Sequence, residues 1–525
     1  MIGPEIFIVK EMGVVELLPA QRDMRIVIHR ATLDERLINS HDATIIICDR
    51  DVTSAALKGL PFGTAIERSC KRARTRGSLS VLSTHVGAGA KPLVLAFVKP
   101  GAAAFERLTL GAKAWKELSG AAPQRVLIGT LNIDATMSSA LLENFVAAAL
   151  AGSAPMPSMK SKRVRQPQLE AITLCGDAVN IDVERALATD RGNHVARWLT
   201  ALPPNVLDSA AYRRTLSALS KRAGWSFSFF DIAALKRVRA GAFLAVARGN
   251  EHADAGIVRI RYRARARSTV RAHLALVGKG ICFDTGGINL KTHKGMFSMH
   301  EDMQGSAVAI GTLLALSAID APYDIDCWLA ITENNIGPRA FRPQEVVTAA
   351  NGVTIQVVHS DAEGRMVLAD TLALAARERP DLMIDFATLT GACVVALTDR
   401  YSGVFTNRSE WHTALALAGR HSGERVWPFP LDDDFDAELE STIADVMQCT
   451  LDSKGDHILA ARFLQRFVPA ETPWIHIDLA ASNRPGGLAY VPSDVTGFGV
   501  RYATHLLLDQ GLIGGSRARR AKERK

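Results

Sequence analysis

The 525-residue sequence predicts an α/β protein of two lobes, each a mostly parallel or mixed sheet flanked by helices. Three observations carry this reading. Short β-rich runs alternate with helical stretches in both halves of the chain, the order that builds parallel sheets. The run MQGSAVAIGTLLALSAI (303–319) is apolar on nearly every side, so it reads as a helix buried between layers. A Pro-, Ser- and Lys-rich stretch around 152–168 marks a surface loop near the end of the first lobe.

In the first lobe the strand signals are ATIIICD (43–49), LVLAFV (93–98), RVLIGTL (125–131) and AITLCG (171–176), with SSALLENFVAAALAG (138–152) as a helix among them. The helical segment VERALATDRGNHVARWLTAL (183–202) runs into PPN (203–205) and stops, because paired prolines cannot continue a helix. It is expected to connect the lobes. The second lobe repeats the alternation more strongly, with LALVGKG (274–280), YDIDCWLAIT (323–332), DLMIDFATLTGA (381–392) and WIHIDLA (474–480). These signals divide the chain into an N-terminal α/β domain (1–178), a connecting helix (179–205), a larger domain (206–515) and a basic tail (516–525). The tail is charged and lacks apolar residues, so it is expected to be disordered. No internal repeat is present.

With 48% hydrophobic and 22% charged residues the chain has ample material for a large core. No run reaches the roughly 18 uninterrupted apolar residues that a membrane span needs. The opening MIGPEIFIVKEMGVVELLPA has acids within its apolar part and no basic lead, which makes it a poor signal peptide. The seven cysteines are scattered and form no C-x-x-C pair, so they read as reduced core thiols and favour a cytoplasmic protein.

The net charge of +8 comes from KRARTR (71–76), KSKRVR (160–165), the tail and RIRYRARAR (259–267). In the last of these, period two sets Arg259, Arg261, Arg263, Arg265 and Arg267 on one strand face and Ile260, Tyr262, Ala264 and Ala266 on the other. A solvated face is the expectation. Binding of nucleic acid or another polyanion is the alternative, and neither zinc-finger spacing nor an RNA-recognition aromatic motif accompanies it.

In open α/β sheets chemistry gathers where strands end. The segment VGKGICFDTGGINLKTHKGMFSMHEDM leaves one strand carrying Lys279, Asp284, Lys291 and Asp302. Gly286 and Gly287, directly after Asp284, allow a sharp turn or a close ligand approach. Later, SDAEGR adds Asp361, Glu363 and Arg365 ahead of a helical stretch. Four acids in a mostly apolar core repel one another and are costly to desolvate, unless a metal ion or two are shared among them. Oxygen-rich ligation without Cys or His suits Mg²⁺, Mn²⁺ or Zn²⁺. Taken singly, each segment reads equally well as unconnected surface ion pairs. Other catalytic signatures are lacking: HEDMQ at His300 has glutamine where a zincin has its second histidine, and neither a nucleophile elbow nor a P-loop occurs.

Together these blocks resemble the leucyl (cytosol) aminopeptidase family of two-metal exopeptidases. HSDAEGR stands for the family's NTDAEGR signature, and VGKGICFDTGGINLK matches its other block throughout. ATLTGA (387–392), LPPNV (202–206) and the order of segments from about 190 to 500 match as well. The resemblance implies that the C-terminal lobe is catalytic. It implies that Lys279, Asp284, Asp302 and Glu363 hold one metal, and that Asp284, Asp361 and Glu363 hold the other. Mn²⁺ or Zn²⁺ is implied first and Mg²⁺ after them. A hydroxide would attack the peptide carbonyl, with Lys291 stabilising the oxyanion. Arg365 would hold a bicarbonate ion that carries the proton to the leaving amine. The substrate's free α-amino group would lie on the second metal and Asp302, so the substrates are peptides with a free N-terminus. Met299, Thr388 and Gly391 match positions lining an apolar, leucine-accepting pocket, though each reads equally well as core. The family assembles as hexamers.

Three departures from the family pattern stand out. His359–Ser360 replaces the Asn–Thr that opens the signature, with His359 either supporting the site or perturbing the first metal. LDSKGDHILAA (451–461) replaces a glycine- and alanine-rich stretch and brings Asp452, Lys454, Asp456 and His457, which puts the leucine preference in doubt. The basic tail is the third. An aminopeptidase is the first reading; a narrow dipeptidase at the same site, or a nucleic-acid-binding protein on the same fold, are the others.

Overall fold

The computed structural model describes residues 17–74, 79–87, 89–162, 169–176, 179–265, 270, 272–452 and 454–513. The expected disordered tail (516–525) lies outside the described residues, as do most of the opening segment and parts of the basic runs at 71–76, 160–165 and 259–267.

The first lobe is built on β1 (Arg25–His29), β2 (Ala43–Asp49), β3 (Val81–Val86), β4 (Lys91–Val98), β5 (Arg125–Leu131) and β6 (Ala171–Cys175). They form one sheet in the order β1-β6-β5-β2-β4-β3. Every pair is parallel except β3 with β4. Sequence and structure agree on β2, β4, β5 and β6, where covered sheet faces turn alternation into largely apolar runs; β1 and β3, with exposed positions at the sheet's two edges, were not expected. In β2, Ile45 and Ile47 join one core while Ile46 and Cys48 join the core on the opposite face.

The second lobe contains β7 (Ser226–Phe230), β8 (Gly256–Tyr262), β9 (Ala272–Asp284), β10 (Tyr323–Asn334), β11 (Val346–Thr348), β12 (Thr354–Gln356), β13 (Leu382–Ala387), β14 (Ser402–Thr406), β15 (Val426–Pro428), β16 (Val446–Met447) and β17 (Trp474–Asp478). Its main sheet runs β15-β14-β17-β13-β9-β10-β8-β7, and β11-β12-β16 form a small sheet beside it. The centre, β17-β13-β9-β10, is parallel, while β14 and β8 turn the flanks antiparallel. The chain passes from β9 outward to β10 and then returns to β13 on the other side of β9. The sheet's switch point therefore lies between β9 and β13, where such folds open a crevice.

The helix Gln304–Ala318 joins β9 to β10 and is buried along almost its whole length, which is why its sequence lacks a polar face. The helix Glu363–Ala376 covers the opposite face of the sheet. The helix Val183–Thr200, expected as a connector, packs against Gln304–Ala318, with Val195, Ala196 and Leu199 in the second lobe's core.

One expectation is corrected here. The arginine row is not a single solvated strand face, because β8 ends at Tyr262 and lies inside the sheet between β10 and β7. Arg263 and Arg265 are exposed, but Arg259 is buried. Its guanidinium meets Asp326 at 2.5 Å and Glu378 at 2.6 Å and lies over the Trp328 ring. Asp326 on the adjacent strand is fully buried and supplies the charge that draws Arg259 inward. All seven cysteines are among the described residues, buried and outside any disulfide, and no described helix is long and apolar enough to cross a membrane.

Candidate metal centre

The candidate site forms at the carboxyl ends of the central strands. Lys279 lies within β9 and Asp284 at its end. Side chains five apart on a regular strand point to opposite faces. Here the β9–β10 ladder pairs Ile281 with Thr332 and then Asp284 with Asn334, so β9 carries one extra residue. That bulge reverses the alternation and brings Asp284 to the face where Lys279 meets Glu363. The chain then turns at Gly286 (φ +84°) and Gly287 (φ +64°), conformations that side chains resist. Lys291 N donates to Thr285 O at 3.0 Å, which closes the turn and returns the Lys291 side chain to the site.

Glu363 is the first residue of the buried helix Glu363–Ala376, and Asp361 precedes it in the turn. Asp284, Asp361 and Glu363 bring carboxylate oxygens within 4.8 Å of one another. Lys279 Nζ lies 2.8 Å from Asp302 and 3.0 Å from Glu363, and it donates to Thr388 O at 2.9 Å. Lys291 Nζ lies 2.9 Å from Asp284 and 2.5 Å from Asp361. The five expected metal ligands and Lys291 are thus one contiguous cluster.

Its electrostatics are those of crowded, poorly solvated acids. Burial, reinforced by Glu363 and Asp302, pushes the Asp284 carboxyl up to about 8. Burial also lifts Asp302, to about 6, with Lys279 opposing and Glu363 adding to it. Asp361 is raised by burial and by Glu363. Burial works against charge on Glu363 too, but Lys279 and Lys291 outweigh it and hold its carboxyl low. Burial opposes the charge on Lys279, yet Asp302, Glu363 and Asp284 outweigh it and keep the ammonium protonated.

This donor set fits divalent cations. Four carboxylates face two ammonium groups, so the cluster keeps an excess of negative charge unless protons or cations neutralise it. Asp302 Oδ2 and Asp361 Oδ1 are buried and, apart from the lysine contacts, accept no hydrogen bond. Free lone pairs on buried carboxylates are what a hard cation takes up.

The remaining expected residues fall around the cluster. Thr388 Oγ1 donates to Asp302 Oδ1 at 2.7 Å, so Thr388 steadies both Asp302 and Lys279. Met299 is half-buried in the short turn just before Asp302. Gly391 is exposed at the start of the helix Gly391–Leu397, with open space where a Cβ would stand. Arg365 is buried two residues beyond Glu363, where its Nη1 donates to Gln448 O at 3.1 Å and its Nη2 to both Asp456 oxygens at 2.9 and 2.8 Å. His359 is exposed and accepts from Asp361 N through Nδ1 at 3.2 Å, so it shapes the Asp361 turn. A cleft of about 520 Å³ opens beside the cluster, lined by Asn289, Lys291, Thr292, His359 and Asp361 among others.

Sequence reasoning missed several residues that hold the site. Asn334, at the end of β10, donates through Nδ2 to Asp284 Oδ1 at 2.8 Å and to Ser360 O at 3.0 Å. Its place at a central strand's carboxyl end was the available signal. Ser360 Oγ donates to Gly286 O at 2.7 Å and accepts from Asn289 N at 2.8 Å, tying together the turns that carry Asp284 and Asp361. Gln448 accepts from the backbone N–H groups of Val358 and His359, both at 3.0 Å; nothing in its local sequence marks it.

Comparison with known proteins points the same way. Residues 194–504 match the family model described as "Cytosol aminopeptidase family, catalytic domain". The chain is 34% identical over 488 residues to a "Probable cytosol aminopeptidase" of Rhodopseudomonas palustris, covering 88% of this chain and 95% of the relative. A "Probable cytosol aminopeptidase" of Syntrophotalea carbinolica is 40% identical over 332 residues, covering 63% of this chain and 66% of the relative. Among solved structures, the bottromycin maturation enzyme BotP in complex with Mn superposes with a TM-score of 0.76 at 26% identity, covering 89% of this chain and 98% of that one. A mutant of tomato leucine aminopeptidase shares the fold with a TM-score of 0.81 at 23% identity, covering 94% of this chain and 98% of that one.

Proposed function

The chain belongs to the cytosol aminopeptidase family and is an aminopeptidase, a hydrolase; from that premise we propose that it removes N-terminal, apolar, leucine-like residues from peptides at a two-metal centre. The observation that carries the metal centre is the convergence of Asp284, Asp361 and Glu363, with carboxylate oxygens within 4.8 Å of one another, and with Lys279 and Asp302 completing the cluster. Lys279, Asp284, Asp302 and Glu363 would hold one ion, and Asp284, Asp361 and Glu363 the other. Manganese is the first candidate, since BotP is a structural relative in complex with Mn. Bound ions would polarise the scissile carbonyl and bring a water's pKa to ~7.

The chain's own residues do the rest. Lys291, on the more exposed side of the cluster, supplies an ammonium for the developing oxyanion. Asp302, fixed by Thr388, receives the substrate's free α-amino group, which restricts cleavage to unblocked N-termini. Lys279 must give up its proton to serve as a ligand, so loading the site releases protons. Met299 and Gly391 would frame the first side chain. A hexameric assembly and a cytoplasmic setting belong to this reading on family membership alone.

The test is to strip the protein with EDTA and offer Leu-p-nitroanilide and its N-acetylated twin with Mn²⁺, Zn²⁺ or Mg²⁺ restored. Metal-dependent cleavage of the unblocked substrate alone is expected. Equal cleavage of both substrates, or cleavage without metal, would overturn the reading.

A further inference from the structure

Arg365 carries a buried positive charge two residues from Glu363, and its surroundings determine what it can bind. A guanidinium in such a place, with its fork open, is a receptor for a small oxyanion. Here the fork is engaged. Nη2 donates to both oxygens of Asp456, Nη1 donates to Gln448 O, and Nε is buried without a partner. Asp456 comes from the altered 451–461 segment and is the first residue of the helix Asp456–Gln465, where the helix dipole favours an anion. Its side chain is 19% exposed against 3% for Arg365, so the carboxylate stands on the outer side of the buried guanidinium.

We propose that Asp456 is a built-in anion for Arg365: it fills the place an exogenous carbonate would take, and the reaction of this chain runs without dissolved bicarbonate. Asp456 is a positioning residue, acting through Arg365. The inference rests on the aminopeptidase reading above for the role of Arg365, but the contact itself does not. A carboxylate held in place by the fold competes as an intramolecular ligand, with an effective concentration of ~mM or more. A dissolved anion must displace it, and must separate an ion pair shielded from water to do so.

The experiment compares wild-type, Asp456→Ala and Asp456→Glu, all loaded with Mn²⁺, in buffer freed of carbon dioxide, with bicarbonate or formate titrated against chloride at constant ionic strength. Two readouts are taken, Leu-p-nitroanilide turnover and melting temperature. Wild-type and Asp456→Glu should respond to neither anion. Asp456→Ala should lose ~10–100-fold in kcat, as for removal of other residues supporting a metal site. Bicarbonate or formate should restore much of that loss and should raise the variant's melting temperature saturably, by ligand linkage. A purely structural Asp456 would give no anion rescue. Saturable activation or stabilisation of wild-type by bicarbonate would overturn the proposal, as would an alanine variant that folds but ignores both anions. Should the alanine variant not fold, the wild-type response still decides against the proposal or for it. Should no peptide be cleaved with any metal, the aminopeptidase reading fails, while the melting arm still tests the anion seat.

Discussion

Gly364 lies between Glu363 and Arg365 at the start of a buried helix, and replacing it with alanine tests how tightly the cluster is built. A Cβ at this position would stand 2.6 Å from Lys279 Cε, 2.7 Å from Nζ and 2.9 Å from Cδ. Non-bonded carbons settle at about 3.5–4.0 Å, so the tip of Lys279 must retreat by about 1 Å. It has no open space to enter, since Lys279 is buried and its Nζ is held by Asp302, Glu363 and Thr388 at 2.8, 3.0 and 2.9 Å. A 1 Å shift lengthens those contacts to about 4 Å, and a misplacement of that size costs ~10²-fold in rate. Metal affinity should fall by ~10–100-fold. Folding should change little, because alanine favours the helix by up to ~1 kcal/mol relative to glycine and offsets part of the local strain. The assay is Mn²⁺ titration by calorimetry, with kcat/KM and the melting temperature of the metal-free protein measured alongside. Unchanged metal affinity and kcat/KM in a Gly364→Ala variant that melts normally would refute the assignment of Lys279 to the metal.

Three further outcomes are expected. Asp284 and Asp302, lifted to about 8 and about 6, bind protons in the folded metal-free chain that the unfolded chain has already released. Their contribution is full below about pH 4, the ordinary range of a free aspartate, and is lost as pH rises through the folded values, by up to ~1.4 kcal/mol per pH unit for each group. Added metal should therefore raise the melting temperature more at pH 8 than at pH 5, and an equal gain would contradict the shared-cation reading. Gly391→Ala meets nothing within 4 Å, so metal binding and stability should hold while kcat/KM for Leu falls relative to Ala p-nitroanilide; parallel changes would remove Gly391 from the pocket. Arg259→Met leaves the fully buried Asp326 with Arg263 and His273 as its charged or titratable partners among the described residues, and urea unfolding should report a loss of ~3 kcal/mol. A loss close to zero would return Arg259 to the solvated-face reading.

Strand positions were legible because both sheets are covered on both faces, so β2, β5, β9 and β10 are near-continuous apolar runs whose burial needs no knowledge of the partner strand. The helix Gln304–Ala318 was legible for the same reason. The arginine row misled because period two gives the face of a side chain but not what covers that face. Asp326, 67 residues away, turns part of it inward.

The site divides in the same way. The candidate set was local: the expected ligands Lys279, Asp284, Asp302, Asp361 and Glu363, with Lys291, sit in two short blocks whose chemistry and resemblance name them together. What the sequence by itself determined was therefore the kind of fold, the list of charged residues and the class of reaction. Their convergence was settled by tertiary structure, through the one-residue bulge that returns Asp284 to the face of Lys279 and through Asn334 and Ser360, which hold the two turns together. The partner of Arg365 was settled there too, because Asp456 lies 91 residues along the chain and only packing of its helix against the site brings the two charges into contact. Hydrogen bonds and ion pairs act over a few ångströms of space whatever the separation in sequence, and a single chain read in order carries no record of that distance.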